Sequence, residues 1–278
     1  MNPPEELMSL YWTTAGIVPE QGEISRFDFE DRVQVLARAG FKGLGLWYGD
    51  LEHILQQRTL KEMKKILDDN GMKYFELEFL TDWFLDGEKK AKSDVRKKKL
   101  FEAAAALQAS HVKVGDFDHS PYEMPSLVDA FASLCAEAEQ YGTAIGFELM
   151  GVSMIDNLTD AITLVKSAAA RNGGLILDIY QVANLGMTYE EISRIPLEYL
   201  TNVELNDGTL PGSPHHDPSN RRFCGEGEYN IKGLIRCVKK MGYRGPWAVE
   251  VISNKLAPLP LEELARRAYE STMAEFGG

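Results

Sequence analysis

"YLTNVELNDGTLPG", residues 199–212, begins as a buried strand and sets the carboxylate of Glu204 between Val203 and Leu205. An unpaired charge in an apolar interior costs several kcal/mol or is neutralised by a shift of its pKa. Glu204 therefore needs partners from elsewhere in the chain. Outward from this stretch, similar β-rich runs occur at LMSLYW (7–12), KGLGLW (42–47), KYFELEF (73–79), HVKVG (111–115), AIGFEL (144–149), GLILDI (174–179) and PWAVEV (246–251). With TNVELN (201–206) they make eight.

Stretches of helical period separate them: FEDRVQVLARAG (29–40), TLKEMKKILDDNG (59–71), KKKLFEAAAALQA (97–109) and MPSLVDAFASLCAEAEQYG (124–142). NLTDAITLVKSAAA (157–170), a short TYEEISRI (188–195), IKGLIRCVKKMG (231–242) and LEELARRAYESTMAEF (261–276) complete the set. Several end in Gly, as helix C-caps do. Eight strands alternating with helices imply parallel pairing through crossover helices. At 278 residues the economical closed form is a single (β/α)₈ TIM barrel, which needs about 250. One domain over 1–278 is expected, since no linker or compositional break divides the chain. A doubly wound open sheet would carry a Gly-rich phosphate turn after its first strand, and none is present.

Parity then locates the acids. Side chains alternate along a barrel strand between the helices and the interior. In AIGFELM the apolar set Ile145, Phe147 and Leu149 leaves Glu148 pointing inward. Leu175 and Leu177 do the same for Asp178, Val203 and Leu205 for Glu204, and Val249 and Val251 for Glu250. Four successive strands thus send one acid each toward the axis near their C-terminal ends, where barrel active sites lie. Converging carboxylates repel unless protonated or neutralised by a cation. A divalent metal is the simplest solution, and oxygen donors without cysteine suit Mn²⁺ or Mg²⁺. By the same parity Glu76 and Glu78 point inward on the third strand, with Phe75, Leu77 and Phe79 outward, and His111 and Lys113 point inward on the fourth.

Composition narrows the partners. A net charge of −12 argues against a nucleic-acid binder, and the one basic run, EKKAKSDVRKKK (88–99), distributes its lysines around a helix as a solvated face. No apolar run approaches the roughly 18 residues of a membrane span, so no membrane partner is expected. The start, MNPPEELMSLYW, does not read as a signal peptide. A cytoplasmic location is the resulting expectation, with Cys135, Cys224 and Cys237 as reduced thiols.

These motifs resemble the xylose isomerase-like barrels of the sugar phosphate isomerase and epimerase family. The likeness runs through AGFKGLGLW at the second strand, GFELM at the fifth, LILDIYQVA at the sixth and VELNDG at the seventh, then NRRFCGEGEYN and GPWAVEV. It implies one divalent metal held by Glu148, Asp178, Glu204 and Glu250, with Glu148 and Glu250 doubling as the catalytic acid/base pair. Three positions depart from the family pattern: Glu204 stands where many relatives have histidine, Gln181 ends a DIYQ where DxxH is common, and Met150 follows the fifth-strand glutamate where histidine or asparagine is frequent.

The chemistry so implied is isomerisation or epimerisation of a sugar, keto-sugar or related hydroxy-carbonyl compound. A metal polarises the carbonyl and a carboxylate takes the adjacent proton. Expulsion of a leaving group after the same first step would make the enzyme a lyase or dehydratase. Lys113 raises three further readings, a counter-charge for the acids, a direct substrate-binding contact or a Schiff-base aldolase; a barrel without catalysis is the remaining alternative. The resemblance places an arginine before the GxG on substrate: Arg221 fits, with Arg222 as alternate. His119, Trp12 and Trp47 are further substrate-binding candidates; Trp83, also near a strand end, could stack on a sugar face or pack in the core. His215 and His216 are read as exposed. Asp207 and Gln181 are read as supports of the loops or ligands. The long segment from Asp207 to Tyr229 is a candidate lid. A homo-oligomer, dimer or tetramer, is expected by resemblance only.

Overall fold

The computed structural model describes residues 5–277. Eight parallel strands close into one barrel in chain order: β1 (Leu7–Ser9), β2 (Gly43–Trp47), β3 (Tyr74–Leu80), β4 (His111–Val114), β5 (Ala144–Glu148), β6 (Gly173–Asp178), β7 (Leu200–Leu205) and β8 (Trp247–Val249). β1 pairs with both β2 and β8, which closes the ring. The expected single TIM barrel is thus the observed fold.

Local chemistry sets the helix boundaries. Asp28 caps helix Phe29–Ala39 by accepting from the Glu30 amide, and Gly40 ends it in the left-handed region at φ 115°. A Cβ there would strike the Tyr269 ring at 2.5 Å, so glycine is required twice over. Thr59 and Glu62 form a reciprocal capping box at the start of Leu60–Asp69. The helix read at 97–109 is longer, Gly87–Leu107, and swallows the basic run. Its lysines pair with Glu88, Asp94, Glu137 and Glu52, the solvated face that their all-round spacing implies.

Two layers of core result. The outward sets of the strands, among them Ile145, Phe147, Leu175, Leu177, Val203 and Leu205, are buried against the helices. Inside the barrel, Met8, Leu10 and Ala248 form a separate apolar plug with Tyr74 against it. Polar side chains lie above that plug. Glu76 accepts from Asn202 at 2.9 Å and meets His111 Nε2 at 2.9 Å, all three buried.

Three boundaries differ from the sequence reading in ways that shape the site. β1 stops at Ser9, and Tyr11–Thr14 makes a helical turn whose first amide, that of Tyr11, donates to Glu78 Oε1 at 3.3 Å. β8 stops at Val249, so Glu250 stands one residue past its strand. On β3 the register to β4 shifts between Leu77 and Leu80. That irregularity breaks strand parity, and Phe79, expected to face the helices, lines the cleft above the barrel.

Candidate active site and metal centre

Glu148 and Asp178 are the last residues of β5 and β6, Glu204 is the penultimate residue of β7, and Glu250 follows β8. All four are buried, and one oxygen from each lies within 4.8 Å of the others. Parity thus brings together the quartet named from the sequence. Such an arrangement of hard oxygen donors fits one divalent cation. A second observation agrees: Glu204, wholly buried, accepts no hydrogen bond at either carboxylate oxygen. Unsatisfied buried carboxylate oxygens are costly unless something positive meets them.

Part of that positive charge belongs to the chain. Lys113 Nζ lies 2.8 Å from Glu204, 3.1 Å from Glu78 and 3.3 Å from Glu250, with Glu76 and Glu148 each at 3.8 Å. Its approach to Glu204 is a close ion contact without the alignment of a hydrogen bond. Burial works against the ammonium form, but the surrounding glutamates outweigh it and hold Lys113 well above the ordinary lysine range. A lysine kept charged is a poor nucleophile, which argues against the Schiff-base alternative. Nor is Lys113 on the cleft wall, where a substrate contact would require it. Its position is that of the counter-charge.

Arg221 provides the second cation. Its Nη1 donates to Glu250 Oε2 at 2.7 Å and to Asp178 Oδ2 at 3.0 Å, and the guanidinium lies 4.2 Å from the Tyr180 ring centroid. Asp178 Oδ1 accepts from the Tyr180 amide and from Asn206 Nδ2 at 2.8 Å. Sequence reasoning missed Asn206, although it stands two residues after Glu204 in the same phase.

The environments drive the acids apart. Burial raises Glu148 to about 8 and Glu78 to about 7 despite Lys113. It raises Glu204 well above the usual range and Asp178 as well. Glu250 is buried too, yet Lys113 and Arg221 together outweigh that burial and hold it below the ordinary value.

Above the cluster opens a cleft of about 360 Å³ lined by Trp12, Trp47, Phe79, Phe117, Met150 and Ile252 on its apolar sides. Glu23, Glu78, Glu148, Glu250 and Arg221 supply its polar groups. The expected positions of Trp12, Trp47 and Arg221 are therefore on the cleft. Trp83 packs instead against Phe84 and Phe131 in the core.

Three candidates fall elsewhere. His119 is exposed and ties the loop after β4 to the loop after β5 through Ser153 O; Phe117 of that loop reaches the cleft in its stead. Arg222 donates to Glu226 O, and its backbone bridges Asp207, so it faces away from the acids. His215 and His216 are exposed, as read. Gln181 accepts from the Gly151 amide and so supports the loop after β5 rather than a ligand.

The segment read as a lid is fastened over its second half. Asp207 accepts backbone N–H bonds from Gly208, Gly225, Gly227 and Tyr229. The Arg221 amide donates to Ile252 O at 2.9 Å. These bonds deliver Arg221 to the acids.

Comparison with known proteins agrees with this architecture. The chain is 25% identical over 83% of its length to a 3-dehydroshikimate dehydratase of Pseudomonas aeruginosa, and spans 37% of that protein. It is 22% identical over 80% of its length to an inosose isomerase of Halalkalibacterium halodurans, covering 82% of it. Among solved structures, the IOLI protein with a bound zinc atom superposes with a TM-score of 0.85 at 18% identity, with 97% of each chain covered. Among the described residues no helix is long and apolar enough to cross a membrane. The description of the xylose isomerase-like TIM barrel matches residues 33–274, and the chain belongs to that family.

Proposed function

We propose that the protein is a divalent-metal-dependent isomerase or epimerase that moves a proton next to the carbonyl of a sugar, keto-sugar or related hydroxy-carbonyl compound. One observation carries this reading: four buried carboxylates converge beneath a cleft, and two of them, Glu148 and Glu250, also form its floor. Glu148, Asp178, Glu204 and Glu250 would hold the ion, Mn²⁺ or Mg²⁺ by the hardness of their oxygens, whereas the IOLI structure holds zinc. When bound, the ion supplies Lewis-acid polarisation of the substrate carbonyl.

The chain's own groups handle the proton. Glu250, held ionised by Lys113 and Arg221, is set to accept it from carbon, and Glu148, the other ligand carboxylate that reaches the cleft, is placed to exchange a proton with the substrate from its own side. Arg221 reaches the cleft and orients an oxygen of the substrate beside Glu250. The aromatic walls keep water from the reacting carbon.

A dehydratase shares the first step, and the 25% identity to a dehydratase supports it as the second reading. Incubation of Mn²⁺-loaded protein in D₂O with ketoses, inososes and keto-acids decides between them. Isomerised or epimerised product carrying carbon-bound deuterium is expected; loss of water marks the lyase. Glu148→Gln and Glu250→Gln should each slow the exchange by roughly 10²–10⁴-fold. Exchange that survives complete removal of divalent metal would sink the proposal.

A further inference from the structure

We infer that the cleft selects an uncharged hydroxy-carbonyl substrate, a single small ring or chain with one apolar face, and rejects compounds bearing a phosphate or a carboxylate. The inference rests on the proton-transfer reading of the site and narrows its substrate.

Charge comes first. Among the described residues the only base on the cleft wall is Arg221, and its Nη1 is already committed to Asp178 and Glu250. The next base inward, Lys113, is fully buried among glutamates. Glu23 stands at the opening and Glu78 lines the wall from a buried position, with Glu148, Asp178, Glu204 and Glu250 in the cluster below. Six carboxyl groups thus stand against two basic side chains.

Backbone donors are partly taken. Phosphates are commonly bound by amides at a helix start. Short helices begin directly after strands at this end of the barrel: at Tyr11–Thr14 and Ile179–Asn184 the chain's own carboxylates already meet the amides, Tyr11 donating to Glu78 and Tyr180 to Asp178, while Tyr48–Ile54 starts without a side-chain cap. An added anion would face a wall of carboxyl groups relieved only by Arg221, which Asp178 and Glu250 already share.

Shape agrees. Trp12, Trp47, Phe79 and Phe117 form a continuous row with centroids 5.1, 5.8 and 4.9 Å apart, and Met150 and Ile252 extend the apolar lining. Such rings accept the C–H face of a polyhydroxylated carbon skeleton while its oxygens turn to the acids. The 360 Å³ volume is near the lower end of the range for small-molecule sites, about 300–1,000 Å³.

The test measures binding and reaction separately. Mn²⁺-loaded protein is titrated calorimetrically at low salt with inosose, D-fructose, D-fructose 6-phosphate and 3-dehydroshikimate, and each mixture is then assayed for deuterium incorporation. At least one neutral compound should bind at least about tenfold more tightly than either anion, with the gap narrowing as salt is raised. Phe117→Ala should weaken the neutral ligand about three- to tenfold. Glu23→Lys should improve D-fructose 6-phosphate relative to D-fructose. Binding of either anion as tight as the neutral compounds, or failure of both neutral compounds to bind, overturns the inference. Neutral ligands that bind without exchange or turnover would instead remove the proton-transfer reading and leave the charge selection standing.

Discussion

At the scale of single residues the buried carboxylate of Glu204 finds its answer in Lys113, 2.8 Å away and equally buried. Each makes the other tolerable. Removing one member of a buried ion pair strands the other, at a cost of about 3–5 kcal/mol, whereas removing both can be nearly neutral. At alkaline pH, where Glu204 is ionised despite its raised pKa, Lys113→Met should therefore destabilise the metal-free protein by about that amount, and Lys113→Met/Glu204→Gln should recover much of it. Urea unfolding of the two singles and the double, all without metal, measures the coupling; simple additivity would refute the pairing. Metal affinity should move oppositely in the two singles. Lys113→Met removes a competing positive charge and tightens Mn²⁺ binding, while Glu204→Gln removes a ligand and weakens it by at least about tenfold. Strand parity alone made Glu148, Asp178, Glu204, Glu250, Glu78 and Lys113 legible, because a two-residue period cannot bury Val203 and Leu205 outward without turning Glu204 in. The same rule reaches Asn206, which was overlooked because it follows the end of the apolar run. Distances among six inward side chains were not legible, since parity gives a direction and not a height along the barrel axis.

Elements fail the sequence reading where they stop being regular. Phe79 was misassigned because the register shift on β3 interrupts the alternation, and nothing in KYFELEF signals it. The loops carried weaker signals still. A histidine in the loop after β4 invited a catalytic role, yet the backbone turns Phe117 to the cleft and leaves His119 exposed. In the segment after β7 the informative residue is Asp207, whose carboxylate gathers four backbone N–H groups and so fixes the return of the chain through Arg221. Such a carboxylate cannot be replaced by water without loosening the segment. Asp207→Ala should cost at least about 2 kcal/mol by stranding donors. It should also lower kcat/KM while leaving Mn²⁺ affinity within about threefold, because the ligands sit on strand ends and not on the loop. Calorimetric metal titration beside steady-state kinetics separates these effects. Equal loss of both would mean that the loop builds the metal site itself.

For the molecule as a whole, folding has to enclose more acid than base inside one barrel, and protons or a metal must make up the difference. In the metal-free protein Glu148 keeps its proton to about pH 8 and Glu78 to about pH 7, both well above the ordinary glutamate value of 4.5. Glu204 and Asp178 shift the same way, and Glu250 the other. Between about pH 4.5 and pH 8 the folded state therefore holds more protons at these sites than the unfolded chain. By linkage, their contribution to stability is greatest at the acid end of that window and is lost as the pH rises through it. A divalent ion does the work of those protons, so its uptake must release them and its affinity must climb with pH until Glu148 is ionised near 8. Metal-free protein should consequently melt at a lower temperature at about pH 9 than at about pH 6, whereas saturating Mn²⁺ should shrink or reverse that difference. Calorimetry in buffers of different ionisation enthalpy should show net proton release on Mn²⁺ binding below pH 8. A metal-free melting temperature that rises across this range, or metal uptake without proton release, would mean that the barrel neutralises its acids by some other route.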